Sequence, residues 1–183
     1  PQLAIGDGAM GFWSALDEVY PDTRQQRCWM HKTMNVLNCL PKLSQPKAKQ
    51  ALHAIWQAET KADAQTAFDL FIDTYEAKYL KATTCLQKDR EELMAFYDFP
   101  AQHWQSIRTS NPIESTFGTI RHRTKRSKGC LTRDGMLHMM FKLGMCAEKN
   151  WRRLRGFNYL AKVIAGIQFK DGIEVAEVNQ VAA

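Results

Sequence analysis

The sequence predicts an α/β fold that is predominantly helical, and three observations carry that expectation. A short apolar run, Gln2-Leu3-Ala4-Ile5, ends in Gly6-Asp7-Gly8, the pattern of a strand closed by a turn. Residues 41–97 repeat apolar side chains at helical spacing and hold no β-rich run. Asn111-Pro112 then opens a helix, with Asn as N-cap and Pro at the first helical position.

Each element follows in order. Phe12, Trp13, Leu16 and Val19 recur at helical spacing, and Pro21 closes that helix. Residues 24–30 read as a second strand with Cys28 and Met30 on one side, and a helix over residues 31–40 stops at Pro41. Ser44 caps a helix whose stripe is Ala48, Leu52, Ile55 and Trp56. Thr60 caps the next, which buries Ala64, Ala67, Phe68, Phe71, Ile72 and Tyr75. A third series through Leu80, Leu86, Leu93, Met94 and Phe96 ends at Phe99-Pro100. The helix after Asn111 carries Glu114, Phe117 and Ile120 and grades into the run Arg121 to Lys128. Thr132 caps a further helix with Met136, Leu137, Met140, Phe141, Leu143 and Met145 as its stripe. A short apolar segment, residues 159–164, precedes a tail from Asp171 that is expected to be loosely ordered.

Composition narrows the function classes. No run of about 18 or more apolar residues exists, so no membrane-spanning helix is expected. Five scattered cysteines, an odd number, suit reduced thiols in a cytoplasmic protein rather than a disulfide framework. The chain opens on Pro1 and runs straight into an apolar stretch, which suggests a protein that begins upstream. Residues 108–155 carry 12 Lys and Arg against 3 acids, whereas the remaining 13 bases face 16 acids. One segment therefore holds all the excess positive charge, which points to a polyanion such as nucleic acid.

Two carboxylates stand out. Gly6-Asp7-Gly8-Ala9-Met10-Gly11 fits the G-x-G-x-x-G pattern of a dinucleotide site. An Asp between the first two glycines would oppose a pyrophosphate, and no acidic ribose ligand follows at the usual distance. Asp7 at a strand end suits a metal ligand better. Glu114 lies in the first turn of its helix, where a capping-box role is the structural alternative. Its basic surroundings also suit a carboxylate that holds a divalent ion beside a phosphate. Two carboxylates sharing hard metals are the parts of two-metal phosphoryl transfer, with ions about 4 Å apart.

Other residues carry weaker signals. Cys28-x-x-His31 has the spacing of half a zinc site, but further ligands are missing at convincing intervals, so a structural pair is expected. Cys–His nucleophilic catalysis lacks an orienting residue. His103 and Trp104 are expected to shape the approach to Glu114, and Trp29 and Trp151 either pack or stack on a base.

Three motifs taken together identify a family. Gly6 to Trp13, Gln26-Arg27-Cys28-Trp29-Met30-His31-Lys32-Thr33-Met34-Asn35-Val36-Leu37, and Arg108-Thr109-Ser110-Asn111-Pro112-Ile113-Glu114-Ser115 resemble the Mutator-type bacterial insertion-sequence transposases. The likeness continues through Ile120 to Lys125 and Trp151-Arg152-Arg153-Leu154, and so covers nearly the whole chain. It implies the C-terminal part of a ribonuclease-H-like catalytic core with an Asp-Asp-Glu triad. Asp7 and Glu114 match the second Asp and the Glu, and Cys28 and His31 match the family's Cys-x-x-His. Residues 1–40 would then be core strands and helices, 41–107 an all-helical insertion, 108–170 the final core helix with a basic helical region, and 171–183 a tail.

The resemblance also implies two Mg²⁺ ions, or Mn²⁺ in their place, in a complete site that activates water and then a 3′-hydroxyl for strand transfer. The partners implied are insertion-sequence ends and a target duplex, bound by a homo-oligomer that associates with the nucleoid. Arg108, Arg121, Arg123, Lys125, Arg126 and Lys128 are the candidate DNA contacts. The family's first Asp lies on an upstream strand that this chain does not contain, so the chain alone is expected to be inactive. A non-catalytic nucleic-acid-binding module and a ribonuclease-H-type nuclease remain the alternatives.

Overall fold

The computed structural model describes residues 1–126 and 132–175, except the side chain of Pro112. Two units divide the chain: residues 1–109 with the segment from Arg155 onward, and residues 110–154.

The first unit begins as a strand–helix–strand crossover. β1 (Leu3–Gly6) and β2 (Arg24–Arg27) pair in parallel with Leu3 opposite Arg24 and Gly6 opposite Arg27, and α1 (Met10–Val19) connects them. The expected second strand is shorter than residues 24–30. Cys28 is the N-cap of α2 (Trp29–Leu37), so Met30 lies on a helix and is exposed. Of the four expected core positions on α1, only Leu16 is buried, because a two-stranded sheet gives that helix little surface to cover.

A helical block supplies the main core of this unit. α3 (Gln45–Gln57) starts after Ser44, which occupies the cap position without a side-chain bond. α4 (Lys61–Gln87) starts at Thr60, whose hydroxyl accepts from the Asp63 N–H at 3.1 Å as its capping sequence predicts. Tyr79 leaves helical geometry inside α4 and marks a kink. α5 (Arg90–Met94) leads through a 3₁₀ turn, Ala95–Asp98, to a second at Ala101–His103 and then to α6 (Trp104–Ile107). Val36, Leu52, Ile55, Phe68, Phe71, Leu86, Leu93 and Phe96 are fully enclosed, and Trp29 joins them. α2 thus shares one core with the helices that follow it.

Polar bonds join the strand to that block. Gln26 on β2 is fully buried, its Oε1 accepting from the Phe96 N–H at 2.7 Å. Its Nε2 donates to the Arg27 carbonyl at 2.8 Å and the Leu93 carbonyl at 3.3 Å. Trp29 Nε1 donates to the same Leu93 carbonyl at 2.8 Å. These side chains satisfy backbone groups at the irregular end of α5, where no helix or sheet does so.

The C-terminal stretch returns to the first unit. β3 (Phe169–Lys170) and β4 (Ile173–Glu174) form an antiparallel hairpin. Residues 171–175, expected in a loose tail, instead form its turn and second strand. Asp171 Oδ1 accepts from the Lys61 N–H at 2.6 Å at the start of α4, and Gly172 bonds to Tyr97 and Ala101. Gly172 has φ +78, and a Cβ there would come within 2.5 Å of Ala101 Cβ, so glycine is required.

The second unit is a helical hairpin of α7 (Asn111–Arg126) and α8 (Arg133–Glu148). α7 starts one residue before its expected first position: the Glu114 N–H bonds to the Ser110 carbonyl at 3.1 Å, which makes Ser110 the cap position. Thr132 caps α8 as expected, accepting from the Gly135 N–H at 3.1 Å. α8 buries none of its residues, however, and Leu137, Met140 and Phe141 of the expected core stripe are exposed. After the hairpin comes α9 (Leu160–Ile164), which lies with the first unit.

Gln26 gives a direct test of this architecture. Gln26→Leu keeps the bulk but strips a buried N–H and a carbonyl of their partners, at a cost of roughly 1–3 kcal/mol. Urea denaturation is expected to show that loss, and an unchanged midpoint would exclude the role.

Candidate functional site

Asp7 sits just past the C-terminal end of β1, where open α/β sheets place their ligands. Its Oδ1 accepts from the Gly8 N–H at 2.6 Å and the Ala9 N–H at 2.9 Å, which fixes the carboxylate on its own turn. Among the described residues, Oδ2 accepts no hydrogen bond. The side chain opens on a cavity of about 410 Å³ lined also by Arg27, His31, Lys32, Asn35, Lys88 and Asp89.

The same geometry disposes of the dinucleotide reading. Asp7 occupies the Gly8 and Ala9 N–H groups that a pyrophosphate would need. The glycines serve packing: a Cβ at Gly6 would strike Trp13 at 2.7 Å, and one at Gly8 would strike Arg27 Nη2 at 2.5 Å.

The walls of the cavity are charged and tightly paired. Asp89 Oδ2 accepts from Arg27 Nε at 3.1 Å and forms an ion pair with Lys32 Nζ, and all three side chains are largely buried. Lys32 Nζ also donates to the Cys85 carbonyl at 2.8 Å. Burial pushes the Cys85 thiol up, so it stays protonated at neutral pH and offers no nucleophile here. Cys28 is buried at the N-cap of α2 and His31 follows in the first turn, half-buried and on the cavity wall.

In the second unit Glu114 lies exposed in the first turn of α7, where Ser110 Oγ donates to its Oε1. At about 100° per residue, Glu114, Phe117, Arg121 and Lys125 share one face of α7. Arg121 and Lys125 line a cavity of about 510 Å³ with Phe117, Ile120 and Thr124 of the same helix and Met136 and Met140 of α8. Arg123 and Arg126 project from the other side of α7. The helix continues to Arg126, so these four cations are helical. Lys128 lies outside the described residues. Trp151 is exposed, its Nε1 bonded to Thr116 Oγ1 at 3.1 Å.

Several candidates also make contacts inside the protein. Arg108, expected at the DNA, is half-buried in the first unit. Its Nη1 donates to the Trp56 carbonyl at 2.8 Å, its guanidinium stacks 4.4 Å from the Trp56 ring, and burial lowers its pKa. His103 is buried with Nε2 3.0 Å from the Gly156 carbonyl, and Trp104 packs on Phe96 and Tyr97. Both are parts of the first unit's packing. Trp29 is core. In the other direction, Asp89 and Lys32 escaped the sequence reading: Lys88-Asp89-Arg90-Glu91-Glu92 reads as a solvated charge run.

Comparison with known proteins decides the family. The model of the family described as Transposase, Mutator family, matches residues 2–153. The chain belongs to the Mutator family of transposases. It is 57% identical over 173 residues to the transposase for insertion sequence element IST2 of Acidithiobacillus ferrooxidans, covering 94% of this chain and 58% of that protein. It is 47% identical over 172 residues to the transposase for IS6120 of Mycolicibacterium smegmatis, covering 94% of this chain and 53% of that protein. A transposase for IS905 of Lactococcus lactis is 32% identical over 124 residues, covering 68% of this chain and 32% of that one. This Mutator-family chain thus spans between half and three-fifths of the length of its two more similar relatives here. No helix among its described residues is long and apolar enough to cross a membrane.

The structural contacts of Arg108 are testable. Arg108→Ala should lower the stability of the chain by roughly 1–3 kcal/mol through removal of the hydrogen bond and the stacking. The salt dependence of DNA binding should stay unchanged, and a flatter slope would return Arg108 to the DNA.

Proposed function

We propose that this chain is the C-terminal part of a DNA transposase and supplies Asp7 and Glu114 to an Asp-Asp-Glu site of ribonuclease-H-like type. The observation that carries the reading is Asp7: a carboxylate fixed by two N–H groups at a strand end, with Oδ2 left open, in a chain of the Mutator family. Its hard oxygen fits Mg²⁺ or Mn²⁺ and suits neither a thiolate-bound metal nor a nucleotide. Asp7 and Glu114 would hold the ions, together with an Asp supplied from outside this chain. When bound, the ions supply Lewis-acid polarisation of the scissile phosphate and of the attacking oxygen.

The protein's own share is placement and charge. Asp7 is held on its turn by backbone N–H groups before any metal arrives, so little reorganisation remains. Ser110 holds Glu114 in the first turn of α7. Arg121 and Lys125 follow Glu114 along the same face, two and three turns on, at about 10 and 16 Å by the helical rise. That spacing lets them neutralise backbone phosphates beside the one that reacts. Arg123 and Arg126, on the other side, would meet a second stretch of duplex, as an enzyme joining element ends to a target requires, and Lys128 extends the same run. We assign Cys28, at the N-cap of α2, and His31, on the cavity wall, a structural part without zinc. The working form would be a homo-oligomer at the nucleoid of a bacterial cytoplasm.

In the complete transposase, Asp7→Asn and Glu114→Gln should each abolish strand cleavage and leave DNA affinity within about twofold, since each keeps shape and removes a ligand charge. Cleavage above a few per cent of wild type by either variant removes that residue from the site. Electrostatics makes an independent prediction. Arg121→Ala combined with Lys125→Ala should flatten the log–log salt dependence of duplex binding by roughly 2 units, at about 0.9 for each phosphate no longer neutralised. An unchanged slope would leave this face of α7 away from the DNA.

A further inference from the structure

We propose that Asp89, at the junction of α4 and α5, is a positioning residue for Asp7 and keeps its metal-facing oxygen open. The inference rests on the reading of Asp7 as a metal ligand and assigns a specific task to the helical block.

The path from Asp89 to Asp7 is short. Asp89 is fixed by its backbone, its N–H bonded to the Leu86 carbonyl at 3.4 Å and its carbonyl accepting from the Leu93 N–H at 2.9 Å. Its Oδ2 binds Arg27 Nε at 3.1 Å and pairs with Lys32, with side chains 13% and 4% exposed for the two cations. Arg27 ends β2, opposite Gly6 in the sheet register. Its guanidinium lies against Gly8 so closely that a Cβ there would meet Nη2 at 2.5 Å and Nη1 at 2.8 Å. Arg27 is thus the floor of the turn that carries Asp7, and Asp89 holds that floor in place.

Charge gives Asp89 a second effect on the same cavity. Arg27 and Lys32 are two cations on the wall that Asp7 shares. With Asp89 pairing both, each cation already has an anionic partner other than Asp7. Without Asp89, the remaining carboxylate on that wall is Asp7, whose Oδ2 would attract Arg27 and close to metal. Asp89 itself is a poor metal ligand, since its carboxylate charge is already shared by two cations. Its action is indirect: it orients and frees a ligand, as outer partners of metal sites do.

The test titrates the chain with Mn²⁺ and follows paramagnetic broadening of the Gly8 and Ala9 amide signals, a readout separate from catalysis. Asp7→Asn serves as the reference and should abolish specific broadening. Asp89→Asn should raise the Mn²⁺ concentration for half-broadening roughly 10- to 100-fold, the usual effect of losing an outer partner. Asp89→Glu should restore part of it. Gly8→Ala, which displaces the turn from Arg27 without touching Asp89, should shift the midpoint in the same direction, and it decides the matter if Asp89→Asn fails to fold. In the complete transposase the same variants should raise the Mn²⁺ requirement for cleavage while DNA affinity holds. Wild-type midpoints for folded Asp89→Asn, or for Gly8→Ala where Asp89→Asn does not fold, with Asp7→Asn silent, would overturn the proposal and leave Asp7 as a ligand. Undiminished broadening in Asp7→Asn would instead sink the metal-ligand reading, and the positioning role with it.

Discussion

The carboxylate of Asp89 is 12% exposed, and a charge so far from water persists only where cations and donors replace its hydration shell. Arg27 and Lys32 do so from two consecutive elements, the end of β2 and the first turn of α2. That requirement fixes the helical block against the strand–helix unit at one point, next to the turn of Asp7. Arg27 in turn rests on Gly8, so a desolvated ion pair sets the height of the turn that presents Asp7. A neutral core could hold the same elements together, but it would not specify where the Asp7 turn stops.

Neutral polar bonds complete the junction. Gln26 and Trp29 each reach the Leu93 carbonyl, and Gln26 also satisfies the Phe96 N–H. These backbone groups lie where α5 gives way to a 3₁₀ turn, so regular structure leaves them without partners. Tyr97 does the same for the end of α3, its hydroxyl donating to the Ile55 carbonyl at 3.3 Å and the Ala58 carbonyl at 2.9 Å. Burial pushes the Tyr97 phenol well above its usual range, which keeps that donor protonated. The helical block is therefore bound to the sheet through directional bonds that apolar packing would not define.

Charge is divided between the two units in a way that suits phosphoryl transfer. In the first, the cations of the Asp7 cavity that come from β2 and α2 are already paired with Asp89, and Oδ2 of Asp7 accepts no hydrogen bond among the described residues. In the second, Arg121 and Lys125 stand exposed on the face of α7 that begins with Glu114. Under the proposed function, cations held by Asp89 beside Asp7 and exposed cations on α7 would keep a cation from competing with the ion it should accompany.

Much of this was legible in the chain itself. Thr60 and Thr132 announce their helices because a hydroxyl can satisfy an orphan N–H from sequence position alone. Asp7 is marked by the strand and glycines around it, and the stripe Ala48, Leu52, Ile55 by its period. The sequence by itself therefore determined the helical character, the order of elements and the family. It misplaced Cys28 and Met30 on a strand, since a run such as Arg-Gln-Gln-Arg-Cys-Trp-Met carries no local mark for where a ladder ends and a helix begins. It gave no sign of the Arg108–Trp56 contact or of the Arg27–Asp89 pair, because a charge looks the same whether its partner is water, phosphate or a buried ion 62 residues away. Only the tertiary structure decided which charges are spent inside the protein, for burial and pairing depend on neighbours that are distant in sequence and close in space.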